Sequence, residues 1–264
     1  MHLVDILFSR IKLLCCLESG DCIINFVYSD EKASSNIAAH LKGILSLEKN
    51  DRGFSGLECF EDREHMFRML KVDCRIINAD FIDNLVEGLT VFLSRHSSSK
   101  QVPAFTVHPV GNWSDDCSLG GAPKSLGVAS PVNMLRVLKS IEGVNSTEIE
   151  LTYEATHHGP LLNRPSFFVE LGGNDEVIGN YEYAGLIAKG IAEAIGSEPL
   201  YDKIAVGIGC MHYPEKFTRL ALGGKYAFSH MMSKHYVKEV GMIESAFSRS
   251  DIAAEIAVIE WALL

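Results

Sequence analysis

Six histidines of this chain stand where chemistry could be done. His96 in SRHSSS, the pair His157-His158 in YEATHHGP and His212 in GIGCMHYP each follow an apolar run of strand type; His108 follows another, and His230 falls in KYAFSHMMSKHY. Imidazole titrates near neutrality and, when neutral, is the commonest metal ligand. Glu154 and Glu170 sit within or beside the same runs, where an ionised side chain is costly to bury unless it binds a cation or orients a histidine. A catalytic zinc takes three protein ligands from this repertoire and keeps an open position for water. Two histidines and one carboxylate would suffice. The bound water's pKa falls from 15.7 to about 7, so hydroxide becomes available to attack an ester carbonyl at neutral pH.

Every one of these residues also has an ordinary structural use. Residues 157 and 158, if extended, point to opposite faces, so one of them ligates and the other donates a hydrogen bond. His2, His40, His65 and His235 carry no such pattern. The run Ser97-Ser98-Ser99 lacks a GxSxG elbow and supplies hydroxyl donors as readily as a nucleophile. Gly207 and Gly209 form a GxG that is not extended to GxGxxG, which counts against a nicotinamide cofactor.

The elements that must position these side chains alternate. Residues 22–28, 89–93, 104–107, 148–153, 167–171 and 204–208 read as strands. Helical periodicity covers 36–47, with Ser34 and Ser35 as N-caps, 131–141 with Gly143 as its stop, and 182–195 ending at Gly196. The charged stretch 48–70 has no clear period, and 252–264 fits either a helix or an apolar edge strand. Such alternation predicts an α/β fold with a mixed, largely parallel sheet and flanking helices. If the strands share one sheet, their C-terminal ends bring the imidazoles together. With no repeat and no low-complexity linker, one α/β domain is expected over 22–264, with 1–21 as an extension.

At 264 residues and 47% hydrophobic content the chain can bury a sizeable core. No apolar stretch approaches 18 residues, and Asp5, Arg10 and Lys12 interrupt the opening segment, so neither a membrane span nor a signal peptide is expected, and the cytoplasm is. Seven cysteines with no CxxC pair read as reduced. The net charge of −10 argues against coating a nucleic acid, yet Lys216, Arg219, Lys225, Lys234 and Lys238 run without an intervening acid. A solvated face is the commoner fate of such a run; a phosphate-facing strip is the other.

Three groups of segments carry a resemblance. They are Ser94-Arg95-His96-Ser97-Ser98 with His108-Pro109-Val110-Gly111-Asn112; Glu154-Ala155-Thr156-His157-His158-Gly159-Pro160 with Pro165-Ser166-Phe167-Phe168-Val169-Glu170; and Gly207-Ile208-Gly209 with His212-Tyr213 and Lys216-Phe217-Thr218. In order and spacing they resemble the archaeal and plant type of D-aminoacyl-tRNA deacylase, over about residues 22–236. The resemblance implies hydrolysis of the ester joining a D-amino acid to the terminal ribose of tRNA, two zinc ions per subunit, and a fold like the phosphorylase and peptidyl-tRNA hydrolase group. It implies His157, His158, Glu154 and His96 as the catalytic set, and His157, His212, His230 and Glu170 as the metal set. It also favours the phosphate-facing reading of the basic strip: Lys216, Phe217, Arg219, Lys225 and Lys234 would hold the acceptor end, with Tyr213 and Tyr226 also available for stacking. A monomer with no membrane partner is expected. Two rivals remain open: a metal-independent tRNA-ester hydrolase with a histidine base, and a module that binds aminoacyl-tRNA without turning it over.

Overall fold

The computed structural model describes residues 23–97 and 101–263. The first half of the fold runs β1 (Ile24–Tyr28), α1 (Lys32–Ile44), β2 (Glu48–Phe54), β3 (Leu57–Glu61), β4 (Phe67–Lys71), β5 (Leu89–His96), β6 (Ala104–His108), β7 (Gly111–Asn112), β8 (Ser125–Leu126) and α2 (Pro131–Val144). The second runs β9 (Glu150–Tyr153), β10 (Ser166–Gly172), α3 (Asp175–Ile178), α4 (Tyr181–Ala194), β11 (Lys203–Cys210), α5 (Glu215–Leu222), β12 (Tyr226–Ser233), α6 (Ile243–Ser248) and β13 (Ile256–Ile259). Short 3-10 turns fill several connections.

Eight strands form one sheet in the order β2-β3-β4-β1-β5-β10-β6-β9. Its centre, β4-β1-β5-β10, is parallel. These strands are apolar on both faces because both are covered, as parallel strands require. On one face Val91, Leu93, Phe105, Val107, Val169 and Leu171 pack with Ile37 and Leu41 of α1, Leu135 and Leu138 of α2 and Ile187 and Ile191 of α4. Those helical residues recur at the three- and four-residue spacing that makes one apolar stripe. The opposite face begins apolar with Val27, Phe92 and Phe168 and turns polar toward β6 and β9. A second, parallel sheet, β12-β11-β13, adjoins it through residues 154–156: Ala155 N–H donates to His212 O (2.8 Å) and Thr156 N–H to Met231 O (2.8 Å).

The mixed α/β expectation holds, with corrections in detail. The strands do not all run the same way: β6 is antiparallel to β10, and β9 follows β6. Histidines therefore meet from opposed strand ends, not along one carboxyl edge. β5 continues through His96, so this histidine is a strand residue rather than a loop residue. Ser34 and Ser35 lie inside α1; the Ser34 hydroxyl is fully buried, donating to Leu93 O (2.6 Å) and accepting from Ser29 N–H (2.9 Å), and so ties helix to strand instead of capping. Gly143 falls inside α2, which closes at Asn145. Residues 48–71 form three strands, β2 and β3 joined by a hairpin whose turn residues Ser55 and Gly56 both have positive φ. The tail contains edge strand β13. The proposed 1–21 extension, Cys15, Cys16, Cys22, Ser98 and Ser99 lie outside the described residues. No helix among the described residues is long and apolar enough to cross a membrane.

Candidate active site

Sheet register puts the chemistry on one face. His96 pairs with Gly172, Ser94 with Glu170, and Phe168 with both Phe92 and His108, so alternation aims His96, Glu170 and His108 to the same side. Thr106 pairs with Thr152, and Glu154, two residues on, reaches the same side from just past β9. Opposite His96 the strand carries glycine, and a Cβ on Gly172 would come within 3.0 Å of the His96 ring. Above these groups opens a cavity of about 560 Å³, walled by the segments after β1 and β4 and floored by His96, Glu170, His157, His158 and His212.

Glu154 is the hub. It is 0% exposed; its Oε1 lies 3.1 Å from His96 Nδ1, and its Oε2 lies 2.9 Å from His212 Nε2 and 3.6 Å from His157 Nε2. Glu170 Oε2 lies 3.6 Å from His96 Nδ1 and 3.7 Å from His108 Nε2. Two ionised carboxylates in a dry floor require positive charge nearby. Burial opposes ionisation of Glu154, yet the His212 and His96 rings hold its pKa well below the usual carboxylate range; His108 and His96 do the same, less strongly, for Glu170. Burial also opposes a proton on His96, but Glu154 and Glu170 outweigh it and push its pKa up to about 10; His108 is likewise raised, chiefly by Glu170 against burial. The adjacent pair goes the other way. Burial, then the neighbouring imidazoles, lowers His157 well below its ordinary value, and burial with His108 lowers His158 to about 4. One cluster thus holds histidines biased toward the proton beside histidines biased against it, the divergence that acid–base sites exploit.

His157 and His158 do not point to opposite faces. His158 has φ +46, a left-handed conformation uncommon outside glycine, which turns its ring to the same cavity as His157 with centroids 4.2 Å apart. Both rings also meet His108, at 4.4 and 5.0 Å. Each of the three places Nδ1 against a backbone carbonyl: His108 on Pro109 O (3.0 Å), His157 on Ala155 O (2.9 Å) and His158 on Gly159 O (2.6 Å). With Nδ1–H donating there, Nε2 is the ligating atom each neutral ring offers, and this backbone support is how metal-ligating histidines are oriented; for His108 a metal would have to displace the proton that Glu170 favours. Donor atoms of three sets converge within 4.8 Å: His108, His157 and His158; His96, Glu154 and His212; and His108, Glu154 and Glu170. Among the described residues, the buried His96 Nε2 and His108 Nε2 lack hydrogen-bond partners. The donor chemistry therefore fits zinc.

Of the residues read from sequence, His96, Glu154, His157, His158, Glu170 and His212 come together. His230 does not. It is fully buried in β12 with both ring nitrogens engaged, Nδ1 with Thr156 Oγ1 (3.2 Å) and Nε2 with Arg249 O (2.9 Å) and Gly127 O (3.2 Å), which removes it as a ligand. It braces Thr156 instead. Phe217 is buried, stacked on Phe228 at 4.8 Å, and offers no face to a base. The basic strip dissolves as well: Lys225 pairs with Asp202 (2.7 Å) at the start of β12, Lys234 follows its end, and Arg219 borders a groove with Glu142, Glu150 and Glu215. Lys216 is exposed on α5. None of these basic residues lines the histidine cavity; Arg75 and Arg95 do, Arg95 held by Glu31 at 2.6 Å and Arg75 exposed at the rim. Sequence reasoning counted His108 among the six candidate histidines but left it out of the catalytic and metal sets, and it gave no role to Arg75 or Arg95. Arg95 stood beside His96 in a quoted segment; Arg75 had no signal, because the strand order that places it is non-local.

Comparison with known proteins bears on the same residues. A family model described as D-aminoacyl-tRNA deacylase matches residues 86–264, a span holding all the clustered histidines and carboxylates. The chain is 34% identical over 242 residues to the D-aminoacyl-tRNA deacylase of Pyrococcus furiosus, covering 88% of this chain and 87% of that relative. It is 36% identical over 185 residues to that of Methanoregula boonei, covering 67% of this chain but 41% of the longer relative. Among solved structures, that of AF0625, described as a conserved protein of unknown function, superposes with a TM-score of 0.82 at 29% identity, covering 92% of this chain and 88% of the other.

Proposed function

This chain belongs to the D-aminoacyl-tRNA deacylase family, and from that membership we propose that it hydrolyses the ester linking a D-amino acid to the 3′-terminal ribose of tRNA, with zinc as cofactor. The observation that carries the reading is the buried convergence of four histidines on Glu154 and Glu170 within the matched span. Zinc would be held by His108, His157 and His158 through their Nε2 atoms, where it would polarise the ester carbonyl and lower the pKa of water.

The chain's own groups account for the remaining needs. Ionised Glu154 holds the proton on His96 Nδ1 and fixes the ring of His212, which is half-exposed at the cavity. His96 Nε2 has no partner among the described residues and its ring lines the floor, so a protonated His96 is the donor to the departing ribose oxygen. Because His212 Nε2–H donates to ionised Glu154 (2.9 Å), Nδ1 is the basic atom of that ring, and it takes the proton as water adds while Glu154 balances the charge. At the rim, Arg75 and Arg95 supply the phosphate contacts that the Lys216–Lys238 run does not. Both enantiomeric esters react alike in solution, so chirality is read by the shape of the cavity around the α-carbon.

Release of D-tyrosine and L-tyrosine from their tRNA esters, before and after chelation and zinc re-addition, tests the reading. Turnover of the D-ester alone, lost on chelation and restored by zinc, is expected. Absence of D-specific turnover by the zinc-loaded protein overturns it in favour of a binding module, and turnover indifferent to chelation overturns the metal.

A further inference from the structure

An ester has two halves, and an enzyme that cuts it must house the acyl part and the alcohol part on either side of the attacked carbon. Two cavities meet at the histidine pair. The larger, about 560 Å³, carries Arg75 and Arg95; the smaller, about 80 Å³, lies beyond the pair, lined by Gly111, Asn112, Trp113, Ser114 and Tyr236 among others. Three residues line both: His157, His158 and Leu119. We infer that the smaller cavity receives the side chain of the amino acid, the larger the terminal nucleoside, and that Leu119 sets how large a side chain passes between them. This rests on the deacylase reading above.

Size and chemistry assign the two rooms. Sites for nucleoside-sized ligands run to roughly 300–1,000 Å³, which admits the larger cavity and excludes the smaller. Water occupies roughly 30 Å³ of liquid, so the smaller cavity holds a few heavy atoms, the size of a small side chain. The arginines, suited to a phosphate backbone, border only the larger room.

Leu119 is placed as a partition. It is 49% exposed, and the surface it exposes is shared by both cavities. Its loop is fixed: Leu119 O accepts from Gly159 N–H (3.1 Å), directly after His158, and Asn112 Nδ2 donates to Gly120 O (2.8 Å) and Ala122 O (3.2 Å). Gly120, at φ +84, lies so close to the backbone that a Cβ there would sit 1.9 Å from Ile77 O. The leucine side chain is thus held at the junction by a loop pinned on both flanks.

The test is steady-state hydrolysis of D-alanyl- and D-tyrosyl-tRNA by the zinc-loaded wild type, Leu119→Ala, Leu119→Trp and Ser114→Leu. Ser114 lines the smaller cavity alone, so its enlargement fills that room without entering the other. The ratio of kcat/KM for the D-tyrosyl over the D-alanyl ester should rise about fivefold or more in Leu119→Ala and fall by a similar factor in Leu119→Trp. In Ser114→Leu it should also fall, while inhibition by deacylated tRNA stays at the wild-type level. An active wild type whose variants change both esters in parallel, or lose affinity for deacylated tRNA in Ser114→Leu, overturns the partition alone. A zinc-loaded wild type inactive on both esters overturns the deacylase reading and this inference with it.

Discussion

Replacing His230 with alanine separates its two readings, ligand or brace. The ring is fully buried and spans three elements: Thr156 beside the histidine pair, Gly127 after β8, and Arg249 after α6. Two of its partners keep one bond without it, since Arg249 O also accepts from Ala129 N–H (3.0 Å) and Thr156 Oγ1 from Met231 N–H (2.9 Å). The loss is therefore less than three full hydrogen bonds plus a ring-sized cavity, about 3–5 kcal/mol. Burial depresses the His230 pKa to about 4, against about 6.5 for an unfolded histidine. A depressed folded pKa contributes stability that is present above the unfolded value and lost as pH falls through the folded one. The gap of roughly 2.5 units corresponds to about 3 kcal/mol, lost between pH ~6.5 and ~4. Urea unfolding of chelated protein from pH 7.5 to 4.5 reads both effects: His230→Ala should be less stable at neutral pH and should lose less on acidification than the wild type. A variant as stable as wild type at pH 7, but unable to retain zinc, would refute the brace and return His230 to the ligands.

Glu154→Gln keeps the shape of the hub and removes the charge that His96, His157 and His212 face; kcat/KM for D-tyrosyl-tRNA should fall about 10- to 100-fold or more, with far-UV circular dichroism unchanged. In the same variant His96 loses its nearest carboxylate, so its NMR titration should move down from about 10 in metal-free protein; a His96 titration that stays put would count against Glu154 as the hub. Arg75→Ala should raise KM for aminoacyl-tRNA with little change in kcat and flatten its dependence on salt, whereas Lys225→Ala, whose ammonium is paired with Asp202, should do neither.

Much of the fold was legible because most strands of the centre are continuous apolar runs, INFVY in β1 and SFFVELG in β10, and the helices repeat their buried residues at helical spacing. What escaped detection has a physical reason in each case. β2 reads EKNDRGF because it is an exposed edge, where charge is tolerated and discourages pairing with other chains, so no apolar alternation marks it. The reversal of β6 and β9 is a matter of register between residues 60 or more positions apart in β6 and β10, which no local window contains.

The site was legible to the extent that its chemistry is expensive. Glu154 and Glu170 stand out because carboxylates in buried strands demand cations, and the only abundant candidates nearby in sequence were the histidines. The same logic failed for His230, since a neutral imidazole needs no cation and is satisfied by backbone carbonyls and a hydroxyl. It failed for the basic strip because β12 separates Lys225 from Lys234 by eight extended residues, on the order of 25 Å, so neighbours in sequence became opposite ends of a sheet. It failed for the histidine pair because alternation presumes extended backbone, and His158 is left-handed. That one departure brings both rings of the pair against His108, with a donor atom of each of the three within 4.8 Å of the others. A donor set built on a strained backbone position holds only while its surroundings enforce it, and here these are the bonds of Leu119 O to Gly159, Trp113 Nε1 to Thr156 O and His230 to Thr156 Oγ1. The residues that enforce the geometry are thus as much a part of the site as the ligands, and they were the ones hidden in the sequence.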